Sequence, residues 1–195
     1  MAAECPESGA RPGNEPAERS RQVVLIGYRC SGKTSVGRIL AARLGWSFAD
    51  TDAEVEREAG RGIAQIVAGE GWPGFRERER RAVASLAGRG EIVIAAGGGA
   101  ALDAQNRREW SQSGAIVVYL VLDAETAAAR LAADPQSALL RPSLSGCNAA
   151  CEVQQVLAER EPVYHDAASW RIEVKGRGVA EIAAELGRLL QEMEG

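Results

Sequence analysis

VVLIGYRCSGKTSVGRILAARLG, residues 23–45, decides the fold class. It opens on the apolar run Val23 to Ile26 and closes on a segment whose apolar residues recur every three or four positions, so a strand runs into an amphipathic helix. Between them stand Gly27, four intervening residues, then Gly32, Lys33 and Thr34. Glycine at 27 and 32 lets the backbone curl around an anion, and the positive end of the following helix adds to the pull of the loop N–H groups. Lys33 is expected to reach the β- and γ-phosphates of a nucleotide, and the Thr34 hydroxyl to ligate the magnesium that bridges them. A glycine turn that merely joins strand to helix is the plainer alternative, and the strand before and helix after argue against it. Cys30 stands where many such loops have a third glycine. A side chain fits there if the backbone keeps a negative φ, and the thiol is either reactive, through its cationic neighbours, or inert packing.

Outward from this loop, short apolar runs alternate with helix-period segments, the pattern of a parallel sheet covered on both faces. Strands are expected at Gln22 to Gly27, Ser47 to Asp50, Glu91 to Ala95, Ala115 to Leu122 and Trp170 to Val174. Helices are expected at about 32–44, 52–59, 62–69, 74–88, 103–112, 124–132, 149–163 and 179–193. The expected architecture is a three-layer α/β/α domain on a five-stranded parallel sheet. Residues 1–20 lack large apolar groups and are expected to be a disordered tail before one domain over 21–195. Residues 134–148, with Pro135 and Pro142 and no period, read as a long loop that acts as a lid.

The whole chain has 195 residues, 46% of them apolar and 26% charged, enough for one core. Its net charge of −4 gives no electrostatic footprint for nucleic acid or an anionic membrane. No apolar run approaches the length of a bilayer span and the start lacks an apolar leader, so a cytoplasmic location is expected; small-molecule partners and a monomer are expected besides. Cys5, Cys30, Cys147 and Cys151 do not form a disulfide framework, and with His165 as the single histidine they do not supply a zinc site.

Nucleotide binding alone would fit a switch or a motor, and three further motifs bear on the acceptor. FADTD puts Asp50 and Asp52 at the carboxyl end of the second strand, on one face because alternate residues share it. GFRERE sets Arg76 and Glu79 on one face of a helix at i and i+3, where a solvated charged helix is the alternative. Gly97, Gly98 and Gly99 follow the third strand and leave bare backbone able to touch a ligand, or a flexible turn. Trp46, Trp72, Trp110 and Trp170 have no period and read as packing groups.

From about Arg21 to the C-terminus the chain resembles the shikimate kinase family. The likeness rests on GYRCSGKTSVGR at 27–38, DTD at 50–52, FRERE at 75–79, GGG at 97–99, LLRPSL at 139–144 and AEREPVY at 158–164, in the family's order. It implies a P-loop fold of the nucleoside-monophosphate-kinase type with a mobile lid, and an ATP-dependent kinase that makes shikimate 3-phosphate for aromatic amino-acid biosynthesis. It implies that Asp52 binds the substrate hydroxyls and accepts the proton, that Arg76 and Arg160 hold the carboxylate, and that Gly98 gives a backbone contact. Arg141 looks like the family's lid arginine over the ATP phosphates. Lys33, Asp52 and Arg141 are then the catalytic set. The ATP site would comprise Gly27, Cys30, Ser31, Gly32, Lys33, Thr34, Ser35 and Arg141, with Arg177 as a weaker contact. One Mg2+ would lie at Thr34 and, through water, at Asp50, because the third strand ends in glycines instead of an aspartate. The substrate-binding segment would span about 51–81. Trp72 departs from the family's usual Glu. Arg160 could instead pair with Glu159 or Glu161 on a helix surface, and Arg130 is either a base-stacking group or a surface arginine. The alternatives are a gluconate or nucleoside monophosphate kinase, or a non-catalytic nucleotide-binding module on the same fold.

Overall fold

The computed structural model describes residues 21–133 and 149–193. The expected tail over 1–20 and the expected lid over 134–148, with Arg141, lie outside the described residues. The five strands are β1 (Gln22–Ile26), β2 (Ser47–Asp50), β3 (Ile92–Ala95), β4 (Ile116–Val121) and β5 (Trp170–Glu173). They form one parallel sheet in the order β2-β3-β1-β4-β5. β1 sits at the centre, paired with β3 on one side and β4 on the other. The loop leaving β1 therefore opens at the carboxyl edge where the chain's crossovers change direction, the place where open α/β sheets bind ligands.

Seven helices are described: α1 (Lys33–Leu44), α2 (Thr51–Ala59), α3 (Ile63–Ala87), α4 (Ala104–Gln112), α5 (Ala124–Ala133), α6 (Ala149–Ala167) and α7 (Val179–Glu192). Strand alternation divides the core into two layers. Val23 and Leu25 of β1 face a cluster with Leu40 of α1 and Leu186 of α7, whereas Val24 and Ile26 face Leu86 of α3 and Trp110 of α4. Every β1 residue is buried, as a central strand covered on both sides requires. Each such aliphatic side chain contributes about 1.5–3 kcal/mol by leaving water. A smaller third cluster, Val55, Ile63, Ile66, Phe75 and Ala82, joins α2 to α3 and holds the far wall of the site.

Two helix boundaries differ from the sequence expectation for identifiable reasons. The segments expected at 62–69 and 74–88 run together as α3, but across Gly71 at φ 70° and ψ 176°, a conformation that only glycine adopts readily, with Pro73 restarting the second half. The bend separates a first half packed on α2 from a second half packed on the sheet. α6 runs past its expected end at 163 and through Pro162 to Ala167. Proline there removes one helix hydrogen bond, and burial of Tyr164 in the second core layer holds the last turn in place. Among the described residues, no helix is long and apolar enough to cross a membrane.

Candidate active site

The phosphate loop has left-handed backbone at Cys30 and Gly32, with φ of 62° and 91°. The condition of a negative φ, under which a side chain fits freely at position 30, is thus not met. The loop keeps the curl that a third glycine would serve, and the cysteine adopts it at a cost of about 1–2 kcal/mol. Two contacts hold the loop in that shape. Lys33, 9% exposed, donates from Nζ to the carbonyls of Gly27 and Tyr28, each at 2.8 Å. Arg130 of α5 donates from Nη1 to the Cys30 carbonyl at 3.0 Å and from Nη2 to the Val174 carbonyl at 3.5 Å, tying the loop to the end of β5. Arg130 is therefore neither a free surface arginine nor visible in the sequence as a loop support, since one hundred positions separate it from Cys30. α1 begins directly after the loop, with Gly32 as N-cap, no side-chain cap and no acidic residue in its first turn. An N-terminus built this way favours an anion.

Thr34, exposed in the first turn of α1, donates from Oγ1 to Asp50 Oδ2 at 2.7 Å. The other oxygen of Asp50 accepts from the backbone N–H of Asp52 at 3.0 Å and of Ala53 at 3.4 Å, so Asp50 also caps α2. This corrects the placing of Asp50 and Asp52 on one strand face. β2 stops at Asp50, Asp52 belongs to the first turn of α2, and the helical turn sends the two carboxylates to different tasks. Asp50 faces Thr34 and the phosphate loop, and Asp52 faces the glycines after β3.

Those glycines are bare because neighbours occupy the space of a side chain. A Cβ on Gly97 would lie 2.6 Å from Asp52 Oδ1 and 2.7 Å from Glu79 Oε1, and one on Gly99 would lie within 2.7 Å of three guanidinium atoms of Arg76. The Thr51 hydroxyl fixes the run by accepting from the Gly97 N–H at 2.8 Å. Arg160 donates from Nη1 to the Gly98 carbonyl at 3.0 Å, and the Tyr164 hydroxyl donates to the same oxygen. Arg160 thus turns inward to the glycines, away from the surface pairing with Glu159 or Glu161 left open by the sequence.

A pocket lies between these elements. Asp52, Arg76, Glu79, Gly98 and Arg160 line it, with Ile63, Trp72 and Phe75 as its apolar wall and Tyr28 and Arg29 of the phosphate loop closing one side. Arg76 Nη1 donates to Glu79 Oε2 at 2.5 Å, and Glu79 is 1% exposed, which excludes a solvated charged helix at this point. Burial pushes the Glu79 carboxyl above its ordinary value, with Arg76 opposing and Asp52 reinforcing the shift. Trp72 stands edge-on to Phe75 at 5.8 Å, and the Arg76 guanidinium lies 5.7 Å from its ring centre. Trp72 is hence part of the pocket and not only a packing group. Chemically, the pocket offers guanidiniums for an anion, a carboxylate for a hydroxyl, and an apolar wall for a small ring.

The expected residues therefore fall into two groups that meet. Gly27, Cys30, Ser31, Gly32, Lys33, Thr34 and Ser35 form or follow the phosphate loop, with Asp50 beside it, and Asp52, Arg76, Gly98 and Arg160 surround the adjoining pocket. Arg177 stands at the turn before α7, where its guanidinium pairs with Glu181 at 2.7 Å and with Glu185. His165, in the last turn of α6, takes a contact from Arg171 Nη1 at its Nδ1 and packs edge-on to Tyr119, outside the pocket. Sequence reading missed Tyr28, Arg29, Ile63 and Phe75 as pocket residues. Tyr28, Arg29 and Phe75 stand inside the motifs at 27–38 and 75–79, a signal that could have found them, whereas an apolar residue at helical spacing such as Ile63 looks the same in a core and in a site.

The family model described as Shikimate kinase matches residues 29–191. A shikimate kinase from Nitratidesulfovibrio vulgaris is 49% identical over 170 residues, covering 87% of this chain and 95% of its own length. One from Oleidesulfovibrio alaskensis is 44% identical over 169 residues, covering 87% and 96%. The solved structure of shikimate kinase from Acinetobacter baumannii in complex with shikimate superposes with a TM-score of 0.82 at 35% identity, covering 91% of this chain and 96% of that one. The fold is accordingly the P-loop nucleoside-monophosphate-kinase-like fold of these structures.

Proposed function

This chain belongs to the shikimate kinase family, and from that premise we propose that it transfers the γ-phosphate of ATP to the 3-hydroxyl of shikimate, giving shikimate 3-phosphate and ADP. It is an ATP-dependent kinase of aromatic amino-acid biosynthesis. The observation that carries the residue-level reading is the convergence of Asp52, Arg76, Arg160 and Gly98 on one pocket that residues of the phosphate loop close on one side.

Arg76 and Arg160 bind the shikimate carboxylate, Arg76 held in place by Glu79 and Arg160 by the Gly98 carbonyl. Asp52 binds the hydroxyl that reacts. In the transfer step the 3-hydroxyl oxygen forms a bond to the γ-phosphorus as the bond from that phosphorus to the bridging oxygen of ADP breaks. The hydroxyl proton passes to the Asp52 carboxylate, and ADP leaves with the electron pair. The loop N–H groups, the N-terminus of α1 and Lys33 hold the β- and γ-phosphates. Lys33 Nζ exchanges its loop carbonyls for phosphate oxygens, which offer a cation a charged partner. Ser35, Arg177 and the lid arginine Arg141 complete the nucleotide side.

One Mg2+ fits the phosphate side. The Thr34 hydroxyl points its proton at Asp50, which leaves oxygen lone pairs for a cation and places a carboxylate behind it for a cation-bound water. Thr34 directly, and Asp50 through water, would hold the ion, which would supply positive charge to neutralise the nucleotide phosphates. Segment 51–81 supplies the acceptor side and residues 134–148 the lid, within one kinase domain that acts as a monomer in the cytoplasm.

The test is ADP release from Mg-ATP with shikimate, gluconate, AMP or water as the acceptor. Turnover with shikimate alone, abolished in Lys33→Ala and Arg76→Ala, is the expected result. Turnover with gluconate or AMP would move the chain to another acceptor, and tight ATP binding without any turnover would make it a non-catalytic module.

A further inference from the structure

The pocket contains more guanidinium than one carboxylate needs. Arg29, Arg76 and Arg160 all line it. Arg76 is paired with Glu79 and projects from α3, and Arg160 is bound to the Gly98 carbonyl and projects from α6. Arg29 differs from both in what carries it. It is a residue of the phosphate loop itself, between Gly27 and Gly32, so its position is fixed relative to the phosphates and not to the acceptor wall.

Two contacts place it at the junction of the two sites. Its backbone nitrogen would lie 3.4 Å from a Cβ on Gly98, so the loop at Arg29 packs directly against the glycine expected to touch the acceptor. Its Nε donates to the hydroxyl of Tyr28 at 3.2 Å, and the guanidinium carbon lies 5.6 Å from the centre of that ring. Tyr28 is 1% exposed and packs in the first core layer, so it gives the guanidinium a rigid support. A half-buried guanidinium held at its inner nitrogen, on the boundary between donor phosphates and acceptor, is suited to an anion that moves across that boundary.

We propose that Arg29 contacts the transferred phosphoryl group, stabilising it during transfer and then on the phosphorylated product, while Arg76 and Arg160 serve the carboxylate. The inference rests on the kinase reading above. It assigns to a loop residue a share of the charge neutralisation expected of the lid, and it predicts that the pocket prefers the product's second anionic group to the unmodified acceptor hydroxyl.

The experiment compares wild type, Arg29→Leu and Arg29→Lys. It measures kcat and KM for shikimate, and by calorimetry the affinities of nucleotide-free protein for shikimate and for shikimate 3-phosphate. The expected result for Arg29→Leu is a fall in kcat of about 10–100-fold, with KM and shikimate affinity within about threefold, and a loss of shikimate 3-phosphate affinity of at least about tenfold. Arg29→Lys keeps the charge without the planar fork, so part of the rate and of the product affinity should return; if Arg29→Leu does not fold, this variant carries the same comparison with smaller losses. Equal losses of affinity for shikimate and its phosphate would make Arg29 a carboxylate contact and overturn the proposal, as would unchanged kcat and product affinity. A wild type that turns over another acceptor but not shikimate would sink the proposed shikimate activity. Arg29 would then be judged by the same comparison on that acceptor and its phosphate, and a wild type that binds no phosphorylated acceptor would sink both.

Discussion

Arg76 and Glu79 lie one turn apart on α3 and meet across 2.5 Å, with the carboxyl side chain 1% exposed beneath the pocket floor. A buried charge is tolerated only when paired, and here the pairing also aims the guanidinium at Gly99. The two residues therefore form one device, in which an acid under the floor holds a base at the surface of the site.

The first consequence concerns pH. Burial, the largest cause, raises the Glu79 carboxyl above its ordinary 4.5, so the folded chain holds that proton more tightly than the unfolded chain. Stability from this group is fully present below the ordinary value and is lost as pH rises through the folded value. Urea unfolding of wild type and Glu79→Gln between about pH 4 and about pH 8 should show the wild type losing ground to the variant as pH increases. A wild-type advantage that grows with pH would refute this.

Gly99→Ala should act on the acceptor alone. The new methyl group would overlap three atoms of the Arg76 guanidinium, and a flexible guanidinium can move aside, so the fold survives while the carboxylate site is displaced. KM for shikimate should rise about 10–100-fold, the worth of a charged hydrogen bond, with KM for ATP and the thermal midpoint nearly unchanged. An equal rise in both KM values would mean that the backbone had shifted.

Cys30→Gly should stabilise the protein. Releasing the left-handed φ of 62° recovers about 1–2 kcal/mol, and the greater freedom of glycine in the unfolded chain returns about 0.5–1 of it. A net gain of about 0.5–1 kcal/mol corresponds to a rise in Tm of about 1–4 °C for a chain of this size. A lower Tm would show that the thiol contributes packing worth more than the strain.

Asp50→Asn separates the two tasks of one carboxylate. Asparagine caps a helix as well as aspartate does, so the N–H groups of Asp52 and Ala53 stay satisfied and unfolding should shift by less than about 0.5 kcal/mol. The charge behind Thr34 is lost, so the Mg2+ concentration for half-maximal turnover should rise about tenfold or more. An unchanged Mg2+ requirement would confine Asp50 to capping.

Fold class and phosphate loop were legible without coordinates, because both are written in local patterns. Apolar runs of strand length separated by helical periods specify a parallel sheet, and the spacing of Gly27, Gly32, Lys33 and Thr34 specifies a loop whose chemistry needs only neighbours in the chain. Resemblance to the shikimate kinase motifs brought Asp52, Arg76, Gly98 and Arg160 together as candidates. Which partner each would meet depended on how the chain packs. Asp50 and Asp52 part company because a helix begins between them, which no strand-face rule anticipates. Arg130 supports the phosphate loop from one hundred positions away, and Arg29 joins Arg76 and Arg160 although three different elements carry them. Backbone pattern is a short-range property of side-chain size and period, whereas the pairing of charges depends on where the folded chain returns, and that is fixed by packing of the two core layers around β1.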